Sequence, residues 1–141
     1  MKGIILAGGS GSRLYPLTKV TNKHLLPIGS FPMIHYPITS LTTAGVTDII
    51  VITGTEHMGD MITLLGSGQD YDCEFTFRVQ DQPDGIAGAL RLCQNFVGDD
   101  NCTVILGDNI FSRDLAQDVN QFNEDIKLFF EHDAANQMAS L

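Results

Sequence analysis

Gly3-Ile4-Ile5-Leu6-Ala7-Gly8-Gly9-Ser10-Gly11-Ser12-Arg13 is a short apolar run that ends abruptly in glycines. Residues 3–7 carry no polar side chain, the pattern of a strand buried on both faces of a parallel sheet. The same motif returns along the chain. Asp48-Ile49-Ile50-Val51-Ile52-Thr53 reads as a second buried strand, residues 73–79 alternate enough for a third, and residues 102–106 form a fourth. Helical patterns fill the intervals: residues 33–44 closed by Gly45, residues 57–65 stopped by Gly66, and residues 86–96 with Ala87, Leu90 and Phe96 facing inward. Pro37 lies inside the first helical span and suits its start better than its middle.

This alternation predicts an α/β fold: a doubly wound, mostly parallel sheet with helices on both faces and right-handed crossovers. Ligands of such sheets sit at the carboxyl ends of the strands. Three of the least core-like segments fall there, namely residues 8–13, 80–85 and 107–109. Residues 1–111 are read as this α/β domain and residues 112–141 as a divergent tail. In the tail, Leu115, Val119, Phe122, Ile126 and Phe129 recur at amphipathic helical spacing, while residues 126–130 suit a fifth strand equally well.

The bulk composition narrows the function. The chain has 141 residues, enough for one domain with a real core, and 43% are hydrophobic. No apolar run approaches the roughly 20 residues of a membrane helix, and the opening run is too short for an export signal. Cys73, Cys93 and Cys102 are too widely spaced for a zinc site or a disulfide framework. They read as reduced, mostly buried thiols of a cytoplasmic protein. Seventeen acidic residues against eight basic ones give a net charge of −9, which excludes nucleic acid binding by charge alone. A phosphorylated small molecule would have to be held locally, by aimed N–H groups, one or two placed cations and a divalent metal.

Gly8-Gly9-Ser10-Gly11-Ser12-Arg13 fits that description. Glycines let the backbone turn tightly and point successive N–H groups at phosphate oxygens. A Walker-type loop would need a lysine after its last glycine, and a dinucleotide fingerprint would need a third glycine where Leu14 stands. An ordinary glycine-rich turn remains the alternative. Arg13, a five-donor fork at the end of the loop, favours a phosphate.

Further motifs give the loop a context. Leu6-Ala7-Gly8-Gly9-Ser10-Gly11-Ser12-Arg13-Leu14-Tyr15-Pro16 and Asn22-Lys23-His24-Leu25-Leu26-Pro27-Ile28, followed by Pro32-Met33, resemble the signatures of the sugar nucleotidylyltransferases. Val79-Gln80-Asp81-Gln82-Pro83-Asp84-Gly85-Ile86-Ala87 and Leu106-Gly107-Asp108-Asn109-Ile110-Phe111 are most similar to the glucose-1-phosphate thymidylyltransferase branch. The likeness runs from Met1 to about Phe111, with Ser12 where the family loop more often has threonine. It implies a Rossmann-like sheet of the nucleotide-diphospho-sugar transferase type. It also implies attack of a sugar-1-phosphate, glucose-1-phosphate first among candidates, on the α-phosphorus of a nucleoside triphosphate, with release of pyrophosphate.

The resemblance assigns roles residue by residue. Leu6, Ala7, Gly8, Gly9, Gly11 and Ser12 line the nucleotide, Arg13 holds the leaving pyrophosphate, and Lys23 bridges the attacking and α-phosphate oxygens. Asp108, ending an apolar strand, ligates Mg²⁺, although an Asx-turn would also explain it. Gln80, with the Gly85 backbone beside it, reads the O4 and N3–H edge of the base, which leaves dTTP and UTP both open. The four histidines share no ligand spacing and read as structural or surface residues, with His24 shaping the loop of Lys23. Asp81 and Asp84 read as solvated loop.

The family's second half brings a Glu-Lys-Pro sugar loop and a second metal-binding aspartate. Neither is recognisable here: Lys127 is the only lysine after Lys23, and no proline follows Pro83. The chain is therefore expected to be a truncated or short form. It is either an enzyme of dTDP-sugar synthesis or a non-catalytic nucleotide-binding or assembly module, with a sheet edge suited to a homo-oligomer.

Overall fold

The computed structural model describes residues 1–9 and 11–123. In chain order the elements are β1 (Lys2–Leu6), the short hairpin strands β2 (Pro27–Ile28) and β3 (Phe31–Pro32), α1 (His35–Thr43), β4 (Asp48–Thr53) and α2 (Met58–Leu65). They continue with β5 (Glu74–Val79), α3 (Gly85–Leu92), α4 (Gln94–Val97), β6 (Cys102–Leu106) and α5 (Ala116–Asn120). The main sheet has the order β5-β4-β1-β6, and every pairing in it is parallel.

The all-apolar strands fall where burial is greatest. β1 and β4 are the central pair, with Ile4 opposite Ile50 and Ile5 opposite Val51. Alternation along them divides the core into two layers. Ile5, Ile49, Val51, Phe75 and Ile105 pack with Ile38 and Leu41 of α1, Met61 and Leu65 of α2, and Leu115 and Val119 around α5. Ile4, Leu6, Ile50 and Ile52 pack with Ala89 of α3 and with Cys93. Helices therefore cover both faces, as the alternation predicted.

The chain steps outward from β1 to β4 to β5, and α3 and α4 then carry it back across the sheet to β6 on the other side of β1. That reversal opens a crevice at the carboxyl ends of β1 and β6, which is where open parallel sheets bind ligands.

The structure corrects two expectations, on the third helix and on the thiols. The third helix is two: the Cys93 N–H bonds the Leu90 carbonyl three residues back, and the helix restarts at Gln94. Its inner face is carried by Ala89 and Cys93, while Ala87 is exposed and Leu90 and Phe96 are half-buried. Two residues from 87 to 89 turn a helix by about 200°, so packing Ala89 on the sheet sends Ala87 outward. Of the thiols only Cys93 is buried; Cys73 is half-buried and Cys102 exposed, all three being free. Pro37 sits in the first turn of α1, where its missing N–H has no helical acceptor to lose. In the tail, Leu115 and Val119 are buried as predicted, whereas Ile126, Phe129 and the alternative strand at 126–130 lie outside the described residues. No helix among the described residues is long and apolar enough to cross a membrane.

Candidate functional site

The site is built where β1 ends. The Ala7 carbonyl has no strand partner left on one side and accepts two side-chain bonds, from Thr53 Oγ1 (3.1 Å) and Asn22 Nδ2 (3.2 Å). Asn22 and Thr53 are both buried, so these bonds satisfy groups that water cannot reach. The remaining oxygen of Asn22 accepts the His24 backbone N–H at 2.9 Å and also faces His24 Nδ1. An amide oxygen is only an acceptor, so Nδ1 carries the imidazole proton. Burial pushes the His24 pKa down to about 4, helped by the neighbouring Lys23 charge and opposed by Asp108. The ring is thus a neutral structural piece.

His24 in turn meets Gly107, the residue between β6 and Asp108. A Cβ on Gly107 would stand 2.7 Å from His24 Cδ2 and 3.2 Å from the Leu6 carbonyl oxygen. The close approach lets one turn, residues Lys23–Leu25, touch the ends of both β1 and β6. Gly107→Ala is expected to destabilise the chain by roughly 1–3 kcal/mol, because backbone and a buried ring must both give way. Urea unfolding checks this, and an unchanged midpoint would refute the close packing.

This scaffold aims Lys23 at Asp108, and the two form an ion pair. Burial raises the Asp108 pKa, but the hydrogen bond and charge of Lys23, with a smaller effect from His24, outweigh it. The net direction is down, so the carboxylate stays ionised. An ionised oxygen donor at a strand's end suits a hard cation. Among the described residues no three His, Cys, Asp or Glu side chains cluster as a metal site, and Asp108 is the carboxylate that lines the cleft.

The glycine loop supplies one lip of the crevice. Gly8 and Gly9 line it, and Gly9 adopts a φ of 102° that side chains resist. Gly11 has a φ of 58° and lies under Thr18, whose hydroxyl donates to its carbonyl at 2.9 Å. Ser12 and Arg13 begin the following turn, are exposed, and do not line the cleft. The facing wall comes from the β5–α3 connection, held to β4 by the Gln80 N–H on the Thr53 carbonyl at 2.9 Å. Leu6, Ile86, Ala89 and Leu106 give the slot an apolar interior, while Gln80, Gly85, Lys23 and Asp108 stand at its polar margins. The whole cleft measures about 260 Å³.

Gln80 is more constrained than its sequence implied. Its Nε2 donates to Asp84 Oδ1 at 2.6 Å and to the Gly85 carbonyl at 3.2 Å. The amide's donors are therefore engaged, and its oxygen is what remains for the slot. Asp84, read from sequence as solvated loop, is exposed but paired. Sequence reasoning also missed the Asn22–Thr53–Ala7 brace and the apolar pair Ile86 and Leu106. The only sequence signal for Asp84 was its place just before a helix-opening glycine.

Comparison with known proteins sets these features in a family. The nucleotidyl transferase family model matches residues 2–138. This chain belongs to the nucleotidyl transferase family. A glucose-1-phosphate thymidylyltransferase of Neisseria meningitidis is 50% identical over 111 residues, which cover 79% of this chain and 38% of that protein. A solved structure of a Bacillus anthracis protein assigned as a glucose-1-phosphate thymidylyltransferase, in complex with a sucrose, is 61% identical with a TM-score of 0.83. That match covers 86% of this chain and 49% of the other. A UDP-glucose pyrophosphorylase complexed with UDP-glucose matches with a TM-score of 0.68 at 25% identity, over 84% of this chain and 52% of that one. The present nucleotidyl transferase chain thus spans under half the length of the curated relative it matches.

Proposed function

We propose that the cleft binds a pyrimidine nucleoside triphosphate, dTTP in the first instance, and serves nucleotidyl transfer to glucose-1-phosphate with release of pyrophosphate. The observation that carries this reading is the Lys23–Asp108 pair at the crevice between β1 and β6, beside Gly8 and Gly9 and across from Gln80. The relatives named as thymidylyltransferases support the choice of substrates.

The chemistry asks little of the protein beyond placement. A sugar-1-phosphate has a second pKa of about 6, so its attacking oxygen is already largely ionised at pH 7 and needs no general base. The slot of Leu6, Ile86, Ala89 and Leu106 takes a flat base, and the glycine loop offers N–H groups to the triphosphate. Lys23 leaves Asp108 to bridge the attacking and α-phosphate oxygens as charge gathers there, and Arg13 takes the departing pyrophosphate from the loop's outer end. Mg²⁺ held by Asp108 would supply charge neutralisation of the phosphates. Such a reaction belongs in the cytoplasm, where its nucleotide is found, and in the supply of dTDP-sugars.

A second reading is favoured by one observation. Among the described residues β6 pairs only with β1, so its other edge is unpaired there. The molecule would then bind nucleotide without turnover and complete its sheet with another chain or copy. Calorimetry with dTTP and Mg²⁺, followed by a pyrophosphate-release assay with glucose-1-phosphate, separates the two. Binding with release is expected of the enzyme. Binding without release leaves the second reading, and no binding of any nucleoside triphosphate removes both.

A further inference from the structure

We propose that Asp84 is a positioning residue that locks the Gln80 amide in one orientation and so makes the slot select a base with an imino N–H. The inference rests on the nucleotide site proposed above and deepens it.

A glutamine amide is pseudosymmetric: turned by 180°, it exchanges a donor for an acceptor at little cost unless its neighbours object. Here they object. The Asp84 carboxylate and the Gly85 carbonyl are acceptors only, and both face the same end of Gln80. That end must be the NH₂, since only a donor is compatible with two acceptors. A flipped amide would set its oxygen 2.6 Å from a carboxylate oxygen. The Gln80 oxygen consequently faces the glycine loop, 3.6 Å from where a Cβ on Gly8 would lie.

An acceptor fixed at this place complements thymine or uracil, whose N3 carries a hydrogen. It repels cytosine, whose N3 carries a lone pair instead. Without the lock the amide turns and donates to cytosine, so the discrimination collapses although Gln80 itself is intact. The fold makes room for the lock at one point. Gly88, in the second turn of α3, is buried directly beneath the Asp84 carboxylate, and a Cβ there would overlap that carboxylate.

This yields a test in which stability and selectivity move apart. The 141-residue chain and its Gln80→Ala, Asp84→Ala, Asp84→Asn and Gly88→Ala variants are titrated with dTTP and dCTP by calorimetry, and their Tm values are measured. Asp84→Ala should shrink the dTTP preference over dCTP by about tenfold, roughly the worth of one mispaired hydrogen-bonding group. Asp84→Asn keeps an acceptor and should retain most of the preference. Gly88→Ala displaces the carboxylate and should lose the preference while raising Tm, since alanine favours a helix over glycine. An unchanged preference in both Asp84→Ala and Gly88→Ala, with loss in Gln80→Ala, would overturn the lock and leave the base site standing. Failure of the unmodified chain to bind either nucleotide would overturn the site and the lock together.

Discussion

Lys23→Met is expected to lower the rate of pyrophosphate release by roughly 10²–10³-fold while leaving dTTP affinity within a few-fold. The reason is differential: Lys23 already has a partner in the ground state, the Asp108 carboxylate, so its charge is not idle before the reaction. What the proposed transfer would change is the charge on the oxygens around the α-phosphorus, and only its transition state would gain from a cation placed there. An equal loss in rate and in binding would instead make Lys23 a simple affinity residue. The same variant carries a readout that does not depend on turnover. Asp108 is held low by the Lys23 hydrogen bond and charge against a burial that raises it. Removing Lys23 takes away the largest of the effects that oppose burial, so the Asp108 carboxyl should titrate higher than in the unmodified chain. Carbon-13 NMR of the carboxyl groups would show this, and an unmoved Asp108 would mean that the ion pair is not formed in solution.

The second large effect is an acid limb in stability set by His24. Its pKa is lowered from 6.5 to about 4 in the folded chain, chiefly by burial. The unfolded chain therefore binds a proton between those values when the folded chain does not, and stability falls as pH drops from about 6.5 to about 4. Above that window the neutral ring costs nothing, and below it both states are protonated. The shift corresponds to about 3 kcal/mol over the window, a large part of the stability of a small domain. Asp108 acts in the same direction but only below its ordinary carboxylate range, so the two limbs separate. Denaturant unfolding between pH 7 and pH 4 should show the limb. His24→Gln should be less stable at pH 7 yet nearly flat across the window, and a slope equal to that of the unmodified chain would assign the limb to other groups.

Much of this molecule was legible before its coordinates. Residues 48–53 appear as a strand with the same bounds in the sequence reading and in the structure, because an uninterrupted run of β-branched residues has one comfortable place, the middle of a parallel sheet. The glycines after residue 7 and the aspartate after residue 107 marked the ends of strands, and the fold class gave those ends their meaning. The helix at residues 86–96 was less legible. Its composition tolerated more than one inward face, and only the sheet's surface chose Ala89 and Cys93 over Ala87. The tail was legible as far as Leu115 and Val119, whose burial matches their spacing.

The roles within the site divide along a similar line. Sequence by itself determined the class of fold, the family likeness, and which residues bear conformational freedom, charge or a two-way hydrogen-bonding amide: Gly8, Gly9 and Gly11, Arg13, Lys23 and Asp108, and Gln80. These follow from local chemistry, since a glycine's backbone or a lysine's charge is the same wherever the chain goes. Only the tertiary structure decided that Asn22 and Thr53 brace the Ala7 carbonyl, that His24 lies against Gly107, and that Asp84 takes the donors of Gln80. Each of those facts is a distance between groups, most of them far apart in the chain, and no composition or periodicity encodes a distance. It is packing, which brings strand ends together and removes water from between them, that turns separate residues into one site.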